Sequence, residues 1–144
     1  HVSEDIFGGF NVVLRGGSQG PNYDQAHIAQ CEQALAQGGV SQNIMIDCSH
    51  ANSGKNPNRQ PAVLKDMTQQ ILDGNRSIIG AMLESNIHHG NQSIPADLGE
   101  LKYGVSVTDA CMDWEMTENA LMEMADSLRS VLSDRAQQKG PGGP

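Results

Sequence analysis

The sequence is poor in aromatic residues, in positive charge and in long apolar runs. Phe, Trp and Tyr make up 3% of its 144 residues. That leaves few of the large side chains that dominate most cores, so the core expected of this chain on its own is weak. Nine Lys and Arg stand against 17 Asp and Glu, a formal charge of −8. No basic face is available to track phosphates, which excludes nucleic acid as a partner. No apolar run nears the ~20 residues a membrane span needs, so a soluble chain without membrane contact is expected. The three cysteines, Cys31, Cys48 and Cys111, lack the spacing of a disulfide scaffold and fit a reducing, cytoplasmic setting. No signal peptide is legible. The chain begins at His1 rather than Met, as a processed or cut chain would.

What the sequence does contain is a rhythm. Three short apolar runs, at 11–14, 43–46 and 77–83, are continuous rather than alternating. Such runs suit strands buried on both faces of a parallel sheet. Helical patterns fall between and after them. Residues 24–37 place Ile28, Cys31 and Leu35 on one face, and Gly38 and Gly39 follow. Residues 61–73 align Leu64, Met67 and Ile71, with Pro61 in the first turn and Gly74 beyond the end, the usual asymmetry of helix ends. Residues 113–134 carry a stripe of Trp114, Leu121, Met124, Ala125, Leu128 and Leu132. The order is strand, helix, strand, helix, strand, long loop, helix. Three βα units in one domain imply a parallel sheet with right-handed crossovers. The loop from Ser85 to Asp113 is too long for a bare connection and is expected to serve a site; within it, 104–108 is a candidate short strand. Residues 137–144 are expected to be a disordered tail.

Each apolar run is followed by a polar residue at a matching place. Arg15 follows the first, His50 the second and Glu84 the third, 35 and 34 residues apart. In a (β/α)8 barrel the carboxyl ends of all strands converge on the face that holds the active site. Asp109 lies 25 residues beyond Glu84, in the long loop. His, Glu and Asp together suit Mn, Fe, Co or Zn. Arg15, followed by two glycines, suits a phosphate or carboxylate gripped by a guanidinium fork. Each residue alone has a plainer reading. A histidine after a strand is most often structural, a lone carboxylate is most often a helix cap or solvated, and Arg15 could pair with a neighbouring carboxylate. Their recurrence in phase is what raises them above it. The neighbours weigh less. Asp47 could orient a ligand from behind. Cys48 and Cys111 read as buried apolar residues, His88 and His89 as loop residues, and Lys55 as a solvated lysine.

At these positions the chain resembles the carboxyl-terminal part of type I 3-deoxy-D-arabino-heptulosonate 7-phosphate (DAHP) synthases, the microbial group regulated by aromatic amino acids. The resemblance is carried by Leu14-Arg15-Gly16-Gly17 with Pro21-Asn22-Tyr23, by Ile46-Asp47-Cys48-Ser49-His50-Ala51-Asn52-Ser53, and by Ser77-Ile78-Ile79-Gly80 through Glu84-Ser85-Asn86. Gly90-Asn91-Gln92-Ser93 and Tyr103 to Cys111 extend it. It implies a transferase that condenses phosphoenolpyruvate with erythrose 4-phosphate, releasing phosphate, at the entry to the shikimate pathway and aromatic amino acid biosynthesis. It implies an α/β fold, a (β/α)8 TIM barrel that needs a divalent metal, and a homo-oligomer for the complete enzyme. By motif, His50, Glu84 and Asp109 match three metal ligands, which makes them the candidate catalytic residues, and Arg15 matches an arginine that binds phosphoenolpyruvate. A full barrel takes roughly 250 residues. Residues 1–136 therefore read as strands six to eight with their helices, a partial barrel. A fourth ligand, a cysteine from the first strand, and a Lys-Pro-Arg motif would lie outside it, and the piece alone is expected to be inactive. Two alternatives stand beside this reading: a related enzyme that condenses phosphoenolpyruvate with another sugar phosphate, and a non-catalytic partial barrel.

Overall fold

The structure, a computed structural model, describes residues 2–4 and 10–138. Its sheet has four strands: β1 (Val2–Glu4), β2 (Phe10–Leu14), β3 (Ile44–Asp47) and β4 (Ile78–Met82), in that spatial order. β2, β3 and β4 run parallel, with Leu14 beside Ile46 and Asp47 beside Met82. The helices are α1 (Gln25–Gln37), α2 (His50–Ser53), α3 (Gln60–Leu72) and α4 (Trp114–Gln138). Short 3-10 turns lie at Pro57–Arg59 and Leu98–Glu100. Among the described residues no helix is long and apolar enough to cross a membrane.

The three expected strands and three expected helices are present. Asp24 caps α1 by accepting from the backbone N–H of Ala26 and His27, satisfying donors that the first turn leaves free. Ile28 is buried, and Cys31 and Leu35 pack beside it. Leu64, Met67 and Ile71 of α3 are all buried against Ile44, Ile46 and Ile78 of the sheet. Each such side chain contributes about 1.5–3 kcal/mol when withdrawn from water. Asp113 opens α4 by accepting from the backbone N–H of Met116.

Several expectations are corrected. β1 pairs antiparallel with β2, a strand that no apolar run announced. The strands are not buried on both faces. Ile44, Ile46 and Ile78 face the helices, but Met45 is half-buried, and Ile79 and Met82 are 50% and 42% exposed. Nothing among the described residues covers the other face or the free edge of β4. The apolar stripe read on the last helix is also offset. Leu128 is buried and Met124 partly so, whereas Trp114, Leu121, Ala125 and Leu132 are exposed. The buried line runs instead through Thr117, Ala120, Met124, Leu128 and Val131, because α4 packs chiefly on α3 and covers a narrower stripe than its sequence offers. Residues 104–108 form no strand; Ser106 makes a single bridge to Asn91. Of the expected tail, Gln137 and Gln138 are helical, and 139–144 lie outside the described residues.

Cys48 is fully buried in the core cluster, and burial beside Asp47 pushes its thiol up to about 12. A thiol in that state is inert toward alkylation. Iodoacetamide labelling followed by peptide mass analysis is expected to spare Cys48 in the folded chain and to modify it once urea unfolds the chain.

Candidate metal centre

Parallel pairing sends β2, β3 and β4 out at one edge of the sheet, and the residues that follow them gather there. Arg15 follows β2 directly. Asp47 closes β3, and His50 opens α2 three residues on. Glu84 stands two residues after β4. Asp109 comes from the long loop, which folds back across the edge. Gly90 and Cys111 exchange two backbone hydrogen bonds, and the N–H of Met112 donates to the carbonyl of Glu84.

The structure brings three of the four predicted site residues together. One ligand atom each from His50, Glu84 and Asp109 all lie within 4.8 Å of one another. The His50 Nε2 stands 3.5 Å from Glu84 Oε1 and 3.9 Å from Asp109 Oδ2. His50 and Glu84 are about three-quarters buried, while the Asp109 side chain is 52% exposed. Arg15 is exposed at the end of β2. Cys48 faces the core, and Cys111 donates its thiol to the carbonyl of Asp109; neither joins the cluster. His88 and His89 are exposed loop residues, the latter bonded to Asn58. Lys55 is likewise exposed.

Two buried amides, Gln60 and Asn52, and the half-buried Asn22, none of them given a role by the sequence reading, fix this geometry. Gln60, 1% exposed at the start of α3, accepts from the backbone N–H of Glu84 and donates to its carbonyl. It does for Glu84 what a neighbouring strand would do. Asn52, 4% exposed, donates to the carbonyls of Leu14 and Asp47, where β2 and β3 end. Its own carbonyl accepts from the N–H of Asn22, and Asn22 in turn accepts from Gly16. The Arg15 loop is thereby tied to α2. Gly16 has φ +77°, and a Cβ there would stand 2.7 Å from the Ala51 Cβ, so a side chain at this position would lift the loop away. Motif reading gives Asn52 and Gln60 no role, because an amide reveals nothing until its partners are placed.

The cluster carries local cost. His50 has φ +48°, a left-handed conformation that is worth about 1–3 kcal/mol of strain for a residue with a Cβ. Burial pushes the Glu84 carboxyl above its ordinary value; His50 opposes this, and the charges of Asp109 and Asp47 add to it. An imidazole and two crowded carboxylates suit a divalent cation, which would relieve the repulsion. In the metal-free chain the sign of the linkage is definite. Glu84 holds its proton more tightly folded than unfolded, so stability falls as pH rises from the ordinary glutamate range through the raised folded value. Glu84→Gln is therefore expected to stabilise the metal-free chain at neutral pH and to lose that advantage below the ordinary carboxylate range. Urea midpoints measured across pH check it.

The pattern of the DAHP synthetase I family matches residues 8–122. The Tyr-sensitive phospho-2-dehydro-3-deoxyheptonate aldolase of Escherichia coli is 54% identical over 125 residues, 87% of this chain and 35% of its own length. The tyrosine-inhibited enzyme of Schizosaccharomyces pombe is 47% identical over 122 residues, 83% of this chain and 33% of its own. The chain thus spans about a third of these relatives. The solved structure of a phospho-2-dehydro-3-deoxyheptonate aldolase from Francisella tularensis SCHU S4 superimposes with a TM-score of 0.77 at 36% identity, over 90% of this chain and 40% of that one. The chain belongs to the DAHP synthetase I family.

Proposed function

We propose that this chain supplies one part of the catalytic rim of a DAHP synthase, which joins phosphoenolpyruvate to erythrose 4-phosphate and releases phosphate. The observation that carries the reading is the convergence of His50, Glu84 and Asp109 within 4.8 Å at the carboxyl edge of a parallel sheet, in a chain of this family. The architecture that fits is the last three βα units of a (β/α)8 barrel, over residues 1–136. The half-exposed face of the sheet would then look into the barrel, and the free edge of β4 would accept the first strand. Activity is expected from a complete, cytoplasmic and homo-oligomeric barrel rather than from these 144 residues alone.

His50, Glu84 and Asp109 would hold a divalent ion, with Mn, Fe, Co and Zn all compatible with one imidazole and two carboxylates. Bound there, it supplies Lewis acidity toward the aldehyde oxygen. Arg15 stands at the neighbouring strand end and would grip the phosphate or carboxylate of phosphoenolpyruvate through its guanidinium fork. The tie from Asn52 through Asn22 to Gly16 sets where that fork begins. Holding the enol so that its C3 faces the aldehyde carbon is the main contribution of these residues, since positioning alone can supply several kcal/mol of barrier reduction. Bond formation leaves positive character on C2, which the carboxylates of the rim would favour. Water adds there, and phosphate departs by C–O cleavage.

A complete barrel carrying this sequence tests the assignment. His50→Ala and Glu84→Ala are each expected to abolish metal-dependent phosphate release. Arg15→Ala is expected to raise KM for phosphoenolpyruvate about 10- to 100-fold, the loss of a charge-assisted pair. Residual metal-dependent turnover in the first two variants, or an unchanged KM in the third, would remove the assignment. Faster turnover with a different aldose phosphate would favour the related condensing enzyme.

A further inference from the structure

We propose that Asp47 is a positioning residue. Its carboxylate holds the His50 ring as the Nδ1–H tautomer, which leaves the Nε2 lone pair aimed at the space between Glu84 and Asp109. The inference deepens the metal reading and rests on His50 being a ligand, but the tautomer can be read with no ion present.

The argument is a count of hydrogens around one buried carboxylate. Asp47 is 2% exposed. Its Oδ1 accepts from the backbone N–H of Ser49 at 2.9 Å and lies 2.6 Å from the Ser49 hydroxyl. Its Oδ2 lies 2.8 Å from His50 Nδ1, and the same hydroxyl is also 2.8 Å from that nitrogen. The carboxylate has no hydrogen to give, and Ser49 has one. If Ser49 donates to Asp47, both atoms beside Nδ1 are acceptors, and Nδ1 must carry the ring hydrogen. If Ser49 donated to Nδ1 instead, Asp47 Oδ2 would face a ring lone pair and Oδ1 would face a hydroxyl lone pair. Two acceptor–acceptor contacts at these distances in a buried site are costly. Only the first arrangement satisfies every group around Asp47.

The backbone holds the same choice in place. Asn52 anchors the Asp47 carbonyl, and the carbonyl of His50 accepts from Lys55 at 2.8 Å. The left-handed φ of His50 is the conformation that turns its ring back over Asp47. In the Nδ1–H tautomer the Nε2 lone pair faces Glu84 Oε1 at 3.5 Å and Asp109 Oδ2 at 3.9 Å. A carboxylate behind a ligating histidine raises its basicity and fixes its orientation.

The test uses the metal-free 144-residue chain labelled with 15N-histidine at mildly alkaline pH. Long-range 1H–15N correlation reads the tautomer, and His50→Gln identifies the resonance. The expected result is a protonated Nδ1 on His50. In Asp47→Asn the amide oxygen stays on the Ser49 N–H and the NH2 group turns to Nδ1, so the ring is expected to switch to Nε2–H. Mn2+ affinity, measured by the electron paramagnetic resonance signal of free ion, is expected to fall about 10- to 100-fold. Ser49→Ala retains Asp47 and is expected to retain the tautomer. An Nε2–H ring in the unsubstituted chain overturns the proposal. So does an Asp47→Asn chain with tautomer and Mn2+ affinity unchanged. If Asp47→Asn does not fold by circular dichroism, the tautomer of the unsubstituted chain decides alone. An Asp47-dependent Nδ1–H ring in a chain that binds no Mn2+ supports the positioning and rejects metal binding by these three residues without the rest of the barrel, so the two fail separately.

Discussion

Parallel pairing of β2, β3 and β4 is the constraint on which the rest of the molecule depends. Strands that run the same way end at the same edge, and a residue just past each end meets its counterparts there. Residues 35 and 34 positions apart in the chain become neighbours for that reason alone. The hydrogen-bond ladder itself stops at Leu14, Asp47 and Met82. Past that line the backbone polar groups need other partners, and Asn52 and Gln60 supply them. Their amides continue the sheet by side chain, joining β2 to β3 and α3 to Glu84.

The rim these amides hold is unfavourable taken by itself. Glu84, Asp109 and Asp47 crowd one imidazole, the carboxyl of Glu84 is pushed up, and His50 sits in a strained backbone conformation. The strain and repulsion are concentrated where the three ligand atoms meet, while the core beneath is made of well-buried aliphatic side chains. Such a division, with a relaxed scaffold under a crowded edge, fits the proposal that His50, Glu84 and Asp109 hold a cation. The chain belongs to the DAHP synthetase I family, and the proposed role gives that edge an aldehyde and an enol phosphate to bring together.

The helices show where sequence reading succeeds and where it stops. α1 and α3 each have one neighbouring sheet face to bury, so their apolar stripes coincide with their buried lines, Ile28 to Leu35 and Leu64 to Ile71. α4 carries more apolar surface than its contact with α3 uses, and periodicity chose the wrong part of it. Trp114 and Leu132 stayed in solvent while Thr117 went in. Continuous apolar strands likewise promised cover on two faces. The described residues provide it on one, and the exposed Ile79 marks the other.

By itself the sequence determined the order of elements, the strand-end placing of Arg15, His50 and Glu84, and, through its motifs, the family. These are local properties, written in periodicity and in short runs of residues. Only the tertiary structure decided how the long loop folds back to carry Asp109 to the edge, and that Asn52 and Gln60 hold the rim together. The reason is physical. An amide or a carboxylate has the same appearance in a chain whether it is solvated or buried, and its role is set by which donors and acceptors the fold places within 3 Å of it.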